Sequence, residues 1–323
     1  MYPLKFNPIL KATIWGGNDI CKFKQITPLQ EGIGESWEVS HVPGSVSVVS
    51  NGDLAGTDLS TLIEEFNSKL LGKKVFERFG DKFPLLIKFI DACDDLSIQV
   101  HPDDELAKKR HNSFGKTEMW YVISAKKMAG LYSGFSKQIT QDEYVQSVEN
   151  NTFMASLQYH AAKAGDVFFL PAGRVHAIGS GTFIAEIQQS SDITYRIYDY
   201  NRKDANGNGR ELHTELAKDA IDYKLYDDYV TEYTKQENAP VKLATCSYFE
   251  TNLLTINQPI TRNNLSKDSF IIYICMSGKV ELTDANGVSI SLQKGETTLV
   301  PASVANVTIK PLEKSELLET YLP

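Results

Sequence analysis

The chain has 323 residues, 42% of them hydrophobic, with a formal net charge of −8 at pH 7 and a sequence pI near 5.4. That size supports a substantial core, in one large β-rich domain or two smaller ones. The acidic balance excludes a broad nucleic-acid or anionic-membrane surface, which needs clustered Lys and Arg, yet it permits a locally basic pocket for a small anion.

The opening residues, MYPLKFNPIL, lack the charged start, apolar stretch and small-residue cleavage site of a secretory signal. No apolar run approaches membrane-spanning length, so a cytoplasmic location is expected. Short β-patterned runs then dominate: SWEVSHV, PLLIKFI, LSIQV, EMWYVI, DVFFLP and TFIAEI, followed by SYFETNLLTI, SFIIYICM, VSISL and TTLVPA. Helical spacing is confined to three places. Asp58 to about Phe79 has apolar residues at helical intervals behind Asp58 or Thr61; Thr140 and Glu143 form a capping box ahead of a second helix; HTELAKDAIDYKLYD is a third. Cys21, Cys93, Cys246 and Cys275 are too scattered for a CxxC pair or a disulfide framework and read as reduced thiols, mostly buried.

The polar stretch TKQENAP, residues 234 to 240, marks a boundary between domains 1–235 and 236–323. An internal repeat supports it. KAGDVFFLPAGRVHAIG and QKGETTLVPASVANVTI align without gaps, pairing Gly165 with Gly295, Pro171 with Pro301, Gly173 with Ser303 and His176 with Asn306, and each follows a Tyr-bearing apolar strand. The fold class is therefore mainly β: two small barrels, each a sheet folded over itself, with a few peripheral helices. Only the first copy keeps its histidine, so the second carries the shape without the chemistry.

Ser97, Gln99 and His101 alternate along one short run and project from one face of a strand. With Glu118 in GKTEMWYV and His176 after PAGRVH they offer two imidazoles, a carboxylate and an amide oxygen, a set that suits a first-row divalent ion, zinc first. A lone histidine is more often a hydrogen-bonded core or surface residue, and a strand Gln is usually solvated. Glu118 is harder to explain away, because a carboxylate inside an apolar run costs several kcal/mol unless a cation or strong donors satisfy it. Trp15, Trp37 and Trp120 either line a sugar pocket or fill the core, and Glu35 and Glu38 either support the site or are surface charges. NGNGRE, from Asn206 to Glu211, reads as a turn, and His41, His111, His160 and His213 as structural or surface residues.

The segment GDVFFLPAGRVH resembles the second motif of the cupin superfamily. Together, WGG (Trp15 to Gly17), GESWEVS (Gly34 to Ser40), LSIQVHPDD, GKTEMWYV, PAGRVHAIG and SSDITYRIYDYNR closely resemble type I mannose-6-phosphate isomerases in their shorter bacterial form, in order from about residue 5 to 230. The resemblance implies cupin-like jelly-roll barrels, the C-terminal one degenerate, and one Zn²⁺ per chain held by Gln99, His101, Glu118 and His176. It also implies active-site roles for Lys116 and Arg196, a proton-handling carboxylate at Asp192 and a substrate contact at Ser97. The implied reaction interconverts mannose 6-phosphate and fructose 6-phosphate by proton transfer between C2 and C1 through an enediolate. Lys116, Arg196 and Arg202 are the sequence candidates for the phosphate. The alternatives from other classes are a cupin Fe(II) oxygenase and a non-catalytic sugar-sensing cupin with a structural metal.

Overall fold

The structure is a computed structural model and describes residues 1–203 and 207–323; the expected turn from Asn206 thus begins outside the described residues. Four large antiparallel sheets form a stack. Strands Leu157–Ala161, Gly130–Phe135, His176–Ile178, Ile98–Val100 and Tyr195–Tyr198 lie side by side in a five-stranded sheet. It faces a six-stranded sheet built from Val167–Leu170, Glu118–Ala125, Thr182–Gln189, Leu85–Ala92, Ile9–Gly17 and Ile33–Val39. The second barrel repeats the plan, with a six-stranded sheet centred on Ile271–Ser277 and Ser315–Tyr321 against a four-stranded one. These are two cupin-like jelly-roll barrels.

Alternation along each strand decides what each face buries. In the six-stranded sheet of the first barrel Trp15, Ile90, Trp120, Val122 and Ile184 point into its interior. Their neighbours Ile87, Phe89, Met119, Ala185 and Ile187 point out, yet they too are buried, against Leu253, Ile272, Ile274, Leu299 and Leu318 of the second barrel. Both faces of this sheet are therefore covered, and every residue of Leu85–Ala92 and Thr182–Gln189 is buried, the polar ones included. The outer face of the five-stranded sheet, carrying Ile98, Val100, Ala177 and Ile197, is covered by Tyr144 and Ala217 from two helices. Strand Leu4–Lys5 departs from chain order and pairs with Thr298 and Leu299 at the edge of the C-terminal sheet.

Strand register gives the repeat a physical meaning. Leu170 pairs with Glu118 and Val300 with Ile271, so Ile271 stands in the second barrel where Glu118 stands in the first. By the same register Tyr273 matches Trp120 and Glu319 matches Glu186, and in each barrel the aromatic donates to the glutamate: Trp120 Nε1 to Glu186 at 2.8 Å, Tyr273 Oη to Glu319 at 3.1 Å. The second barrel then fills its interior from the opposite sheet, where Arg262 meets Glu319 through two 2.8 Å bonds. Two ligand positions, now Ile271 and Asn306, are lost.

The helices depart from expectation in instructive ways. The single helix expected over Asp58 to Phe79 is three: Leu59–Phe66, Ser68–Leu71 and Lys73–Phe79. Asn67 (φ 47°) and Gly72 (φ 98°) break it, and the carboxylate of Asp268 accepts from Lys73 N and Lys74 N. The breaks turn Leu70 and Leu71 into the core, an arrangement a straight helix does not reach. Asp58 caps the first piece through Thr61 N at 2.9 Å, and the Thr140–Glu143 capping box opens helix Gln141–Glu149. The third helix is shorter than expected, Thr214–Ala220, because Ile221 turns into the core and Asp222 N bonds the Gly173 carbonyl. Helix Asp104–His111, capped by Asp103, was not anticipated from the sequence. All four cysteines are free thiols; Cys21 and Cys275 are buried, Cys246 is half-buried and Cys93 is exposed. Among the described residues no helix is long and apolar enough to cross a membrane.

Candidate metal centre and substrate cavity

Gln99, His176 and Arg196 sit abreast on three neighbouring strands, with Gln99 in register with both others. Their side chains share the inner face, as does His101, which follows Ile98–Val100. The turn PAGRVH delivers His176 there: Gly173 adopts φ 88°, its N–H bonds the His101 carbonyl at 2.9 Å, and a β-carbon at that φ is disfavoured. Glu118 reaches across from the first residue of its strand in the facing sheet.

His101, Glu118 and His176 are essentially inaccessible, and one potential ligand atom from each lies within 4.8 Å of the others. Glu118 Oε1 is 3.3 Å from His176 Nε2 and Glu118 Oε2 is 3.6 Å from His101 Nε2. Each imidazole donates its Nδ1–H to a backbone carbonyl at 2.8 Å, His101 to Ile193 and His176 to Arg174. That fixes the tautomer and turns both Nε2 lone pairs toward the centre. Burial, then the charge of Lys116, lowers both imidazoles, His101 well below its usual range and His176 to about 3. Neutral imidazoles are what a metal requires. Gln99 completes the set, its amide Nε2 3.3 Å from His176 Nε2; rotating the amide presents its oxygen to the same point.

The fit to a cation rests on Glu118. Neither of its buried oxygens accepts a hydrogen bond of good geometry among the described residues. The ammonium of Lys116 lies 2.9 Å from Oε2 and 3.1 Å from His101 Nε2. A carboxylate and two imidazole lone pairs converging on one point, with a single ammonium beside them, form a cation site of mixed N/O character.

A cavity of about 150 Å³ opens beside this cluster, lined by Ser97, Gln99, Lys116, Arg196 and Trp15. Three further charged lining residues, Lys88, Glu186 and Arg210, escaped the sequence reading. For Lys88 and Glu186 the signal was present: each is a lone charge in an apolar strand, the same anomaly that singled out Glu118. Lys88 is buried between Glu35 and Glu186 at 3.5 Å from each, and although burial disfavours its charge, those carboxylates outweigh it and raise its pKa. Nothing in the local pattern marks Arg210.

The remaining candidates separate cleanly. Trp15 lines the cavity, Trp120 is core, and Trp37 is half-buried with its N–H on Glu35. Glu35 borders the cavity, whereas Glu38 is tied to Lys24 at 2.8 Å elsewhere. His213 supports the site from behind, its Nδ1 accepting from Arg196 N at 3.2 Å. Asp192 is not brought to the cavity. Ser191 turns inward and Asp192 outward, so that its side chain is exposed and lines a separate cleft of about 580 Å³ with Lys82, Lys108 and Phe114.

Comparison with known proteins follows this geometry. Residues 4–127 match the family model described as phosphomannose isomerase type I, catalytic domain, and residues 241–315 match that described as mannose-6-phosphate isomerase, cupin domain. The chain is 35% identical over 302 residues to the mannose-6-phosphate isomerase ManA of Bacillus subtilis, covering 93% of each, and 41% identical over 223 residues to a mannose-6-phosphate isomerase of Streptococcus mutans, covering 68% of this chain and 67% of that one. The crystal structure of a mannose 6-phosphate isomerase from Bacillus subtilis superposes with a TM-score of 0.88 at 32% identity over 99% of both chains. The chain belongs to the type I phosphomannose isomerase family.

Proposed function

We propose that this chain interconverts mannose 6-phosphate and fructose 6-phosphate, using one Zn²⁺ held by Gln99, His101, Glu118 and His176. The observation that carries the reading is the buried, donor-poor Glu118 carboxylate facing two Nε2 lone pairs at the floor of a cavity rich in cationic side chains. When bound, the ion supplies a Lewis acid for the sugar oxygens.

The chain's own residues account for the rest. Removing a proton next to a carbonyl builds negative charge on oxygen, and Lys116, beside the metal cluster, flanks the cavity where that charge develops, with Arg196 lining a further wall. A fixed donor of this kind contributes roughly 3 to 4 kcal/mol to the transition state. Ser97, buried beside Gln99, offers a hydroxyl to the substrate, and Trp15 an apolar wall for the sugar. Lys116 holds a proton at Nζ for transfer to an enediolate oxygen. The proton on carbon needs a carboxylate. Glu186 lines the cavity and keeps one buried oxygen, Oε2, without a hydrogen bond among the described residues, which favours it; Asp192 is the alternative, reaching substrate only from the adjoining cleft. A cytoplasmic setting belongs to the same reading, supported by the free thiols.

Coupling fructose 6-phosphate formation to a reporter, before and after chelation and with zinc restored, tests the reading. Activity that returns with zinc is expected. A rate unchanged by complete metal removal would falsify the catalytic role of the ion.

A further inference from the structure

Three arginines converge at one wall of the cavity, and a single carboxylate organises two of them. Asp199, 4% exposed, accepts from Arg210 at both oxygens, Nε to Oδ2 at 2.7 Å and Nη2 to Oδ1 at 2.5 Å, and from Arg202 Nη2 at Oδ1 at 2.5 Å. Arg202 is anchored further by the Asp95 carbonyl and lies 3.5 Å from the largely exposed Asp94. Arg196 uses Nη1 on the Glu211 carbonyl at 2.9 Å, while its buried Nε has no acceptor among the described residues. Arg196 and Arg210 both line the cavity; Arg202 stands behind.

On this wall positive charge is in excess: Asp199 alone bonds both Arg202 and Arg210 through its side chain, and among the described residues the Arg196 side chain bonds only a backbone carbonyl. Lys88 and Lys116, on the other walls, are paired with Glu35, Glu186 and Glu118. Burial, then the charge of Arg210, lowers Arg196 from the usual arginine range, with Asp199 acting in the opposite sense. Among the described residues Arg210 engages Asp199 through Nε and Nη2 and Arg196 engages the Glu211 carbonyl through Nη1, which leaves one Nη of each for an acceptor. A phosphate, planar-forked by two guanidinium groups, matches both needs.

We propose that Arg196 and Arg210 form the seat for the substrate's phosphate, with Asp199 as a positioning residue that holds Arg210 in place. The assignment rests on the hexose-phosphate reading given above, and it places the metal-bound end of the sugar at Gln99 and Lys116 with the phosphate toward Arg210.

The test uses the full-length, zinc-loaded enzyme. Replacing Arg210 by Met is expected to raise KM for mannose 6-phosphate about 30-fold with a much smaller change in kcat, because a charge-assisted contact to a group remote from the reacting carbons is lost. The preference for mannose 6-phosphate over free mannose, as a ratio of kcat/KM, falls by a similar factor. Arg210→Lys recovers part of it. Asp199→Asn, which keeps the side-chain size but weakens the hold on Arg210, raises KM about 5-fold. Calorimetric titration with inorganic phosphate is read in parallel, with the wild type binding at least 10-fold more tightly than Arg210→Met. Melting temperatures of all variants exclude unfolding as the cause. A KM within 2-fold of wild type in Arg210→Met, or losses in kcat with no loss of phosphate affinity, overturns the seat. If the wild type does not turn over mannose 6-phosphate, the functional reading fails on its own, and the phosphate titration still decides whether Arg210 holds an anion.

Discussion

Gln99 and His176 are direct cross-strand partners, and their side-chain nitrogens Nε2 lie 3.3 Å apart on the inner face of one sheet. Register therefore sets the spacing of two of the proposed ligands before any side chain adjusts, while Glu118, from the facing sheet, closes the proposed set. A one-residue slip of Ile98–Val100 would turn Ser97, Gln99 and His101 outward into the helix-covered face.

Removing the Glu118 carboxylate is predicted to cost the metal first. Glu118→Ala lowers zinc affinity by at least about 100-fold, read as metal content after dialysis. It also strands the Lys116 ammonium, 6% exposed, without its ion-pair partner, so the metal-free variant loses on the order of 3 kcal/mol in denaturant unfolding. Retention of full zinc occupancy in this variant would contradict the ligand assignment.

Lys116→Met separates chemistry from metal binding. The side chain contacts two ligand residues without being one, so zinc content stays near one per chain while kcat falls about 100-fold or more. Loss of metal in step with activity would make Lys116 a structural prop for Glu118 instead.

The two carboxylates can be told apart by following exchange of the C2 hydrogen with solvent deuterium. Glu186→Gln is expected to slow exchange about 100-fold or more, and Asp192→Asn less than about 10-fold, since only the first lines the cavity. The reverse order returns the base to Asp192 and requires substrate to enter from the larger cleft.

Acid should destabilise the fold through its histidines. His41 and His160 are lowered first by burial, as are His101 and His176, so the unfolded chain binds more protons than the folded one below pH 6.5. Stability is fully present above that value and declines as pH falls from about 6.5 toward the folded values, near 3 for His176. Urea midpoints taken from pH 7.5 to 5 on metal-free protein should fall, and less steeply in His41→Asn. A flat profile contradicts this.

Most of the site was legible because metal chemistry leaves lone charges in apolar strands. Ser97, Gln99, His101, Glu118 and His176 all announce themselves by alternation or by an out-of-place carboxylate, and the repeat around Gly165 and Gly295 exposed both barrels. What the sequence hid was whatever depends on distant chain segments meeting. Gly72 reads as a tolerable helix residue until Asp268, nearly two hundred positions away, is seen capping the next turn. Arg210 reads as a turn residue until Asp199 draws it to the cavity. Asp192 lies apart for a local reason, since it is exposed beside the buried Ser191 and lines a different cleft.

Gly72→Ala probes that long-range junction. A β-carbon there would stand 2.1 Å from the Asp268 carbonyl oxygen on a backbone with φ 98°, so a loss of about 2 to 3 kcal/mol is expected in chemical denaturation. Wild-type stability would mean that the junction yields freely.

The sheet that carries Glu118 and Glu186 has no solvent-facing side, because the second barrel lies against its back. Severing the chain between the barrels would lay bare a continuous oily face on each half. The metal-free barrel is thus a mandatory backing plate, and the enzyme should melt as one cooperative body in which truncating Leu318, remote from every ligand, is felt by the catalytic strands.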